Sequence, residues 1–401
     1  MRAAWFTTSY PQWDGDMAGH FVRSLARCMS AEQGVQVTVF CPASPVNAAG
    51  EDHGPMQVRR VRYFWPARWQ KLAGGDGIPW NLRHSLMAWV NLPMFFGRFK
   101  WRMMRQRGQA DIVHAHWGVL GALAVTTRRA HRAKVVLTVH GSDLRSKIAV
   151  VRKMTEWAIR RADAVAAVSP ELADECRAVA GANADNVHFI PNGVDLPDDA
   201  KLDRLRVDAP ATPGRPHLVS VGRLISERRH DLLLEALAAV RSEFPDAALT
   251  LVGDGPQRAV LERQAEELGL AAAVRFAGQV PTNGVRGYLL SGDLYVSPTT
   301  VESFGLAVAE AAACGLPVVA TDVGLPGKLV IDGEGGYVVP PGDGDALTQA
   351  VRNMLSDPDR MREGGQAMRR RVREMGLTWP AAAARTAELY RRLLEDTECT
   401  Q

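Results

Sequence analysis

The chain has 401 residues, 46% hydrophobic and 23% charged, with 36 Gly and 23 Pro, a composition that excludes collagen-like, low-complexity and largely disordered proteins. The net charge of +4 is unevenly divided: residues 1–195 carry 25 Lys/Arg against 15 Asp/Glu (+10) and residues 196–401 carry 23 against 29 (−6). The basic half suits an anionic partner such as a lipid surface, a nucleic acid or a phosphorylated substrate.

In chain order, residues 3–8, 35–40, 111–114, 135–139, 164–168 and 187–190 read as short apolar strands. Helical periodicity lies between most of them, at 20–32, 118–131 and 151–161. Residues 197–216, with four prolines and four aspartates, read as a linker. The alternation then restarts. Strands are expected at 217–221, 248–252, 274–276, 294–297, 317–320 and 337–339, with helices near 230–243, 256–268, 283–291, 305–314 and 343–355. A final amphipathic helix covers 379–395. Such alternation implies parallel sheets covered on both faces. The expected fold is therefore α/β, two Rossmann-like domains facing across a cleft: 1–196, the linker, and 217–375, with 376–401 packing back on the first domain.

Five scattered cysteines, at 28, 41, 176, 314 and 399, include no C-x-x-C pair. They fit neither a disulfide framework nor a zinc site and point to a reducing compartment. The longest weakly polar stretch, residues 85–97, is shorter than the ~18–20 residues of a spanning helix, and the N-terminus has no signal-peptide run. A cytoplasmic protein is expected, free or peripheral on the inner membrane face.

Ligands of open α/β sheets sit where strands enter helices. After the strand at 217–221 stand Arg223, Arg228 and Arg229. They are solvated charges or, since arginine offers paired donors, a grip on a diphosphate. Gly253 and Gly255 form a turn without G-x-G-x-x-G spacing, which disfavours an NAD site. Glu302 and Glu310 flank Ser303, Phe304 and Gly305. On one continuous helix they would be about 12 Å apart along the axis, too far for the ~5 Å carboxyl pair of a retaining glycosidase. They read instead as acceptors for different hydroxyls of one extended ligand. The amides of residues 304–306 at a helix start suit an anion.

Glu302 and Glu310 with Ser303, Phe304 and Gly305 between them resemble the E-x7-E signature of glycosyltransferase family four, whose members have the GT-B fold. The likeness extends through Gly222–Leu224, Asp231–Glu235, Gly253–Pro256 and Val339–Asp343, and in the first half through Thr138–Asp143 and Ile190–Asp195. The resemblance implies a retaining glycosyltransferase moving a sugar from a UDP- or GDP-sugar to a hydroxyl of a glycan or lipid-linked acceptor. It implies that Arg223 and Arg228 hold the diphosphate with amides of Phe304, Gly305 and Leu306, that Glu302 meets the donor sugar and Glu310 the ribose, and that Val280 flanks the base. His140 would lie beside the anomeric carbon, with Gly15 and Asp16 near the phosphates. No cofactor or metal is expected besides the nucleotide sugar. The family's usual Lys-Gly is here Arg228-Arg229, its paired first-loop glycines become residues 14–19, and its Gly-Ile-Pro-Glu turn becomes residues 324–328. Alternatives are a GT-B epimerase and a non-catalytic sugar-nucleotide-binding protein.

Asp14 and Asp16 form a D-x-D pattern, read here as a solvated turn. His114 and His116 are read as pointing to opposite strand faces, unable to share a metal. Residues 59–107 hold 11 Lys/Arg, one acid (Asp76) and 10 of the chain's 27 aromatics, five of them Trp. They form an insert packed into the first domain or a basic surface resting on anionic lipid. Nucleic acid is not expected, since no matching RNA-binding pattern accompanies them.

Overall fold

The computed structural model describes residues 1–13, 15–43, 54–74, 77–207 and 209–398. Two compact units are formed, Met1–Gly193 with the C-terminal helix, and Val194–Thr378. In the first unit the elements are β1 (Arg2–Phe6), α1 (His20–Glu32), β2 (Gln36–Pro42), β3 (Gln57–Val61), α2 (Ile78–His84), α3 (Leu86–Met104), β4 (Ile112–His116), α4 (Gly118–His131), β5 (Lys134–Val139), α5 (Ala149–Ile159), β6 (Ala164–Ala167), α6 (Pro170–Ala180) and β7 (Val187–Phe189). The strands form one parallel sheet in the order β3-β2-β1-β4-β5-β6-β7. Trp5 lies opposite both Val39 and His114.

The second unit contains α7 (Asp199–Val207), β8 (His217–Val221), α8 (His230–Val240), β9 (Ala248–Val252), α9 (Arg258–Glu267), β10 (Val274–Gly278), α10 (Thr282–Ser291), β11 (Leu294–Ser297), α11 (Leu306–Ala313), β12 (Val318–Thr321), α12 (Pro326–Leu329), β13 (Gly336–Val339), α13 (Gly344–Leu355) and α14 (Pro358–Glu374). Its parallel sheet runs β10-β9-β8-β11-β12-β13. Strands β4, β8, β9 and β11 are buried at every residue, because helices cover both faces of a parallel sheet. Helix α15 (Trp379–Glu398) belongs to the first unit. There Trp379, Ala383, Ala387 and Tyr390 join the core around Trp5 and α1.

In each sheet the strand order reverses at a switch point, between β1 and β4 and between β8 and β11, where a crevice opens beyond the carboxyl ends. Among the described residues three helices carry a side-chain cap, where Ser169, Asp343 and Asp357 accept from the amides of Leu172, Ala346 and Arg360, while α2, α3, α5, α9 and α10 carry none. Helices α8 and α11 instead start from residues in the left-handed region, Arg229 (φ 49°) and Gly305 (φ 88°), with no capping side chain.

Three departures from the expected elements have physical causes. The stretch read as a linker carries α7, which closes on the second unit through Leu202 and the ion pair of Asp199 with Arg369. Strand β3 reads Gln-Val-Arg-Arg-Val and occupies a sheet edge, where burial on both faces is not required. Helix α14 contains Gly364 and Gly365, poor helix formers. A Cβ at Gly365 would stand 2.0 Å from the Gly315 carbonyl oxygen, so glycine permits the helix to approach the turn after α11.

Candidate active site

The loop after β8 is tied to the loop after β9. The amides of Gly222, Leu224 and Gln257 donate to the carbonyls of Val252, Asp254 and Leu224 at 2.9, 3.0 and 2.9 Å. Glycine is required for this approach, since a Cβ at Gly253 (φ 139°) would lie 1.9 Å from the Gly222 oxygen. The tied loop carries Arg223, exposed, and Arg228, half-buried. Arg229 holds the left-handed conformation and turns its guanidinium onto Asp231 at 2.9 Å. That leaves Arg228 as the inward charge.

Arg228 Nη1 donates to Glu302 Oε2 at 2.6 Å, and Glu302 Oε1 accepts from the Ser303 amide at 2.9 Å. The Thr300 amide and the Thr299 hydroxyl both donate to the Glu227 carbonyl, at 2.9 and 3.0 Å, latching the β11 loop to the Arg228 turn. Glu302 thus stands in a loop rather than on a helix with Glu310. Gly305 turns the chain into α11, and a Cβ there would stand 2.7 Å from Pro326 Cδ. The amides opening α11 have no intrahelical acceptor and carry the positive end of the helix dipole. Tyr295 is buried among Arg228, Glu302 and Glu310 and donates to the Val221 carbonyl at 3.4 Å; burial pushes its hydroxyl pKa up. His230, also buried, is pushed down to about 4 by desolvation and by the Arg228 guanidinium.

Glu310 projects from α11 with part of its surface accessible. Its apolar surroundings push its carboxyl up to about 7, opposed by Arg286 and reinforced by Asp195. Arg286 is itself anchored by Asp195 at 3.1 Å. Val280 is half-buried in the loop after β10.

In the first unit His140 follows β5. Its ring packs on Trp117 (4.7 Å between centroids) and Phe21 (4.9 Å). His116 Nδ1 lies 3.2 Å from His140 Nε2, and the His114 and His116 rings stack at 4.6 Å. His114 Nδ1 meets the Tyr390 hydroxyl at 2.5 Å and its Nε2 meets Thr138 Oγ1 at 2.6 Å. Desolvation holds His114 and His140 at about 3 and His116 well below its usual range, so the column is neutral. His116 Nε2 is buried without a partner. An orphaned acceptor is less costly than an orphaned N–H, which places the His116 proton on Nδ1, donating to His140. The expectation that His114 and His116 point apart is corrected here, because residues two apart share a strand face.

Asp16 is buried rather than solvated. Its Oδ2 accepts from the Gln12 amide at 2.9 Å and its Oδ1 from the Ala18 amide at 3.0 Å, so this carboxylate braces its own loop. Gly15, at φ 88°, is buried beside it. Asp14 and Asp76 lie outside the described residues. Phe304 is buried, and Leu306 is half-buried at the start of α11. The second unit therefore gathers Arg228, Glu302, Gly305, Leu306 and Glu310 around one switch point, while His140, Gly15 and Asp16 belong to the first. The sequence reading missed the supporting groups Tyr295 and Arg286, and gave His116 no role beside His140. Arg286, one turn into α10, is a basic residue that could have been sought as a counter-charge to Glu310.

The insert divides its aromatics by polarity. Tyr63, Phe95 and Phe99 are buried, with Phe99 against Phe6. All five tryptophans are exposed, from 38% at Trp101 to 78% at Trp65. Among the described residues no helix is long and apolar enough to cross a membrane.

Two family models match the chain: Glycosyltransferase Family 4 over residues 18–197 and Glycosyl transferases group 1 over residues 203–373. The GDP-mannose-dependent alpha-(1-6)-phosphatidylinositol monomannoside mannosyltransferase of Mycolicibacterium smegmatis is 33% identical over 303 residues, 72% of this chain and 78% of the relative. The phosphatidyl-myo-inositol mannosyltransferase of Mycobacterium leprae is 31% identical across 94% of this chain and 92% of its own length. Among solved structures, sucrose-phosphate synthase from Thermosynechococcus elongatus superposes with a TM-score of 0.79 at 25% identity, covering 98% of this chain and 99% of that one. HepE of Anabaena, solved with UDP, shares the fold at a TM-score of 0.71 and 19% identity, over 97% of this chain and 99% of its own. Two matching models and these relatives establish that the chain belongs to the family 4 glycosyltransferases, with the GT-B fold.

Proposed function

We propose that this glycosyltransferase moves a hexosyl group from a nucleoside diphosphate sugar to an acceptor hydroxyl, with retention at the anomeric carbon. The observation that carries the reading is the Arg228–Glu302 pair beside the uncapped start of α11. A guanidinium, with Arg223 nearby in sequence, and open helix amides are fixed where a diphosphate would gain charge on leaving. This supply of positive charge is the reason for proposing a metal-independent reaction. In the proposed step the bond from C1 to the diphosphate oxygen breaks and the bond from C1 to the acceptor oxygen forms on the same face. The acceptor's proton passes to the departing phosphate oxygen. Glu302 accepts from a donor-sugar hydroxyl, Glu310 from the ribose, and Val280 flanks the base.

GDP-mannose in one relative's name supports a nucleotide-sugar donor, and the phosphatidylinositol in both names supports a lipid-type acceptor; the exposed tryptophans among basic residues of 59–107 support a surface held at anionic headgroups. Thermal stabilisation by a panel of UDP- and GDP-sugars tests the donor, since a ligand at 100 times its Kd adds about 2.7 kcal/mol. Retention is read from the anomeric configuration of the product. Stabilisation by no nucleotide sugar, or an inverted product, defeats the reading.

A further inference from the structure

We propose that a cavity of about 540 Å³ in the first unit seats the hydrocarbon chain of an amphiphilic acceptor. The inference rests on the transferase reading above and names the acceptor's chemical class. The cavity lies between α3, α5 and the loops at the β1/β4 switch point. Helix α3 has two apolar stripes. Ala88, Phe95, Phe99 and Met103 enter the core, while Trp89, Leu92 and Phe96, three and four residues apart, face the cavity. Val151 and Met154 of α5 face them across the space. Protein cores close such gaps with side chains, and a pocket of this size with apolar walls falls in the range that binds small molecules.

Three further observations specify the occupant. At the mouth, Trp89, Ile148 and Val150 are 56%, 45% and 61% exposed, so the apolar wall continues outward rather than ending at a polar rim. Helix α3 also exposes Leu86, Val90 and Met94, followed by Arg98, Lys100 and Arg105, which suits a chain arriving from an anionic lipid surface. At the inner end the cavity meets Trp117 and Asp143. Trp117 holds φ 70°, unusual for so bulky a residue, and its ring rests on His140. Asp143 is 4% exposed; its Oδ2 accepts from the Gly118 amide at 2.9 Å, while Oδ1 makes no well-formed hydrogen bond. The polar end of the occupant, a hydroxyl donating to Asp143 Oδ1, would thus stand one tryptophan ring away from His140.

Binding of hexyl, octyl and decyl β-glucoside, each below its micellar concentration, tests this by calorimetry on the full chain. Each buried methylene tightens binding about fourfold, or roughly 15-fold per two-carbon step. Leu92→Asp and Met154→Asp, which charge two facing walls of the cavity, should abolish the gain. Should either variant unfold, Val151→Thr, nearly the same size but polar, should shrink the gain and carries the same test. A flat series in the unaltered protein, or a gain that survives all the substitutions, overturns the proposal. Nucleotide-sugar affinity measured in parallel reports on the other unit. Its absence counts against the transferase reading, whereas a flat alkyl series with nucleotide binding intact counts against the cavity alone.

Discussion

Arg228 and Glu302 meet at 2.6 Å although 74 residues separate them, one in the turn after β8 and the other in the loop after β11. With side chains 29% and 16% exposed, the pair is partly withdrawn from water, where electrostatic interactions strengthen. Arg228→Ala removes the charge proposed for the diphosphate and should lower kcat by on the order of 10²-fold or more. Arg228→Lys, keeping charge but losing the paired donors, should recover part of it. Steady-state kinetics with the donor found by the screen decide; turnover unchanged in Arg228→Ala contradicts the role.

Glu310 supplies a pH signature. Its carboxyl sits at about 7, above the usual range. The folded chain therefore holds a proton that the unfolded chain releases, and this contribution to stability fades as pH rises from about 4.5 through 7. The bond proposed from the ribose is stronger to the ionised form, an acceptor at both oxygens. Nucleotide affinity should fall as pH drops below 7, by up to tenfold per unit. Glu310→Gln should flatten that dependence, as read by titration calorimetry between pH 5.5 and 8.

The histidine column has the opposite sign. His114 is held at about 3 against an ordinary 6.5, so between those values the unfolded chain binds a proton that the folded one does not. Stability is fully present above about pH 6.5 and falls below it, by roughly 1.4 kcal/mol per unit for one such histidine. The urea midpoint of the first unit, followed by tryptophan fluorescence at pH 7.5 and 5.5, should drop. His114→Gln should reduce the drop. An equal drop in both proteins contradicts the assignment.

Gly305 is a backbone requirement. Its left-handed conformation and a Cβ 2.7 Å from Pro326 Cδ make Gly305→Ala strained. The cost expected is about 1–3 kcal/mol, with α11 shifted and nucleotide affinity reduced together. Thermal denaturation and nucleotide titration check both. A variant with native stability shows that the turn tolerates a side chain.

Both sheets were legible because strands buried on two faces are runs of apolar residues, such as Leu294–Ser297. The spacing from Glu302 to Glu310 located the second unit's cluster. What escaped depends on tertiary contacts. The edge strand β3 shows no apolar run. The glycines of α14 make sense only against the Gly315 turn. The buried bracing role of Asp16 is set by amides of its own loop. That Tyr63, Phe95 and Phe99 of the insert are buried while its tryptophans are exposed could not be read from counts of aromatics.

The most direct measurement is calorimetric titration of UDP and GDP into the unaltered protein, Arg223→Ala and Arg228→Ala. The account predicts that at least one nucleotide binds the unaltered chain and that its affinity falls about tenfold or more in Arg228→Ala, as expected for a charge-assisted grip. Binding equally tight in all three proteins, or binding of neither nucleotide, would contradict it.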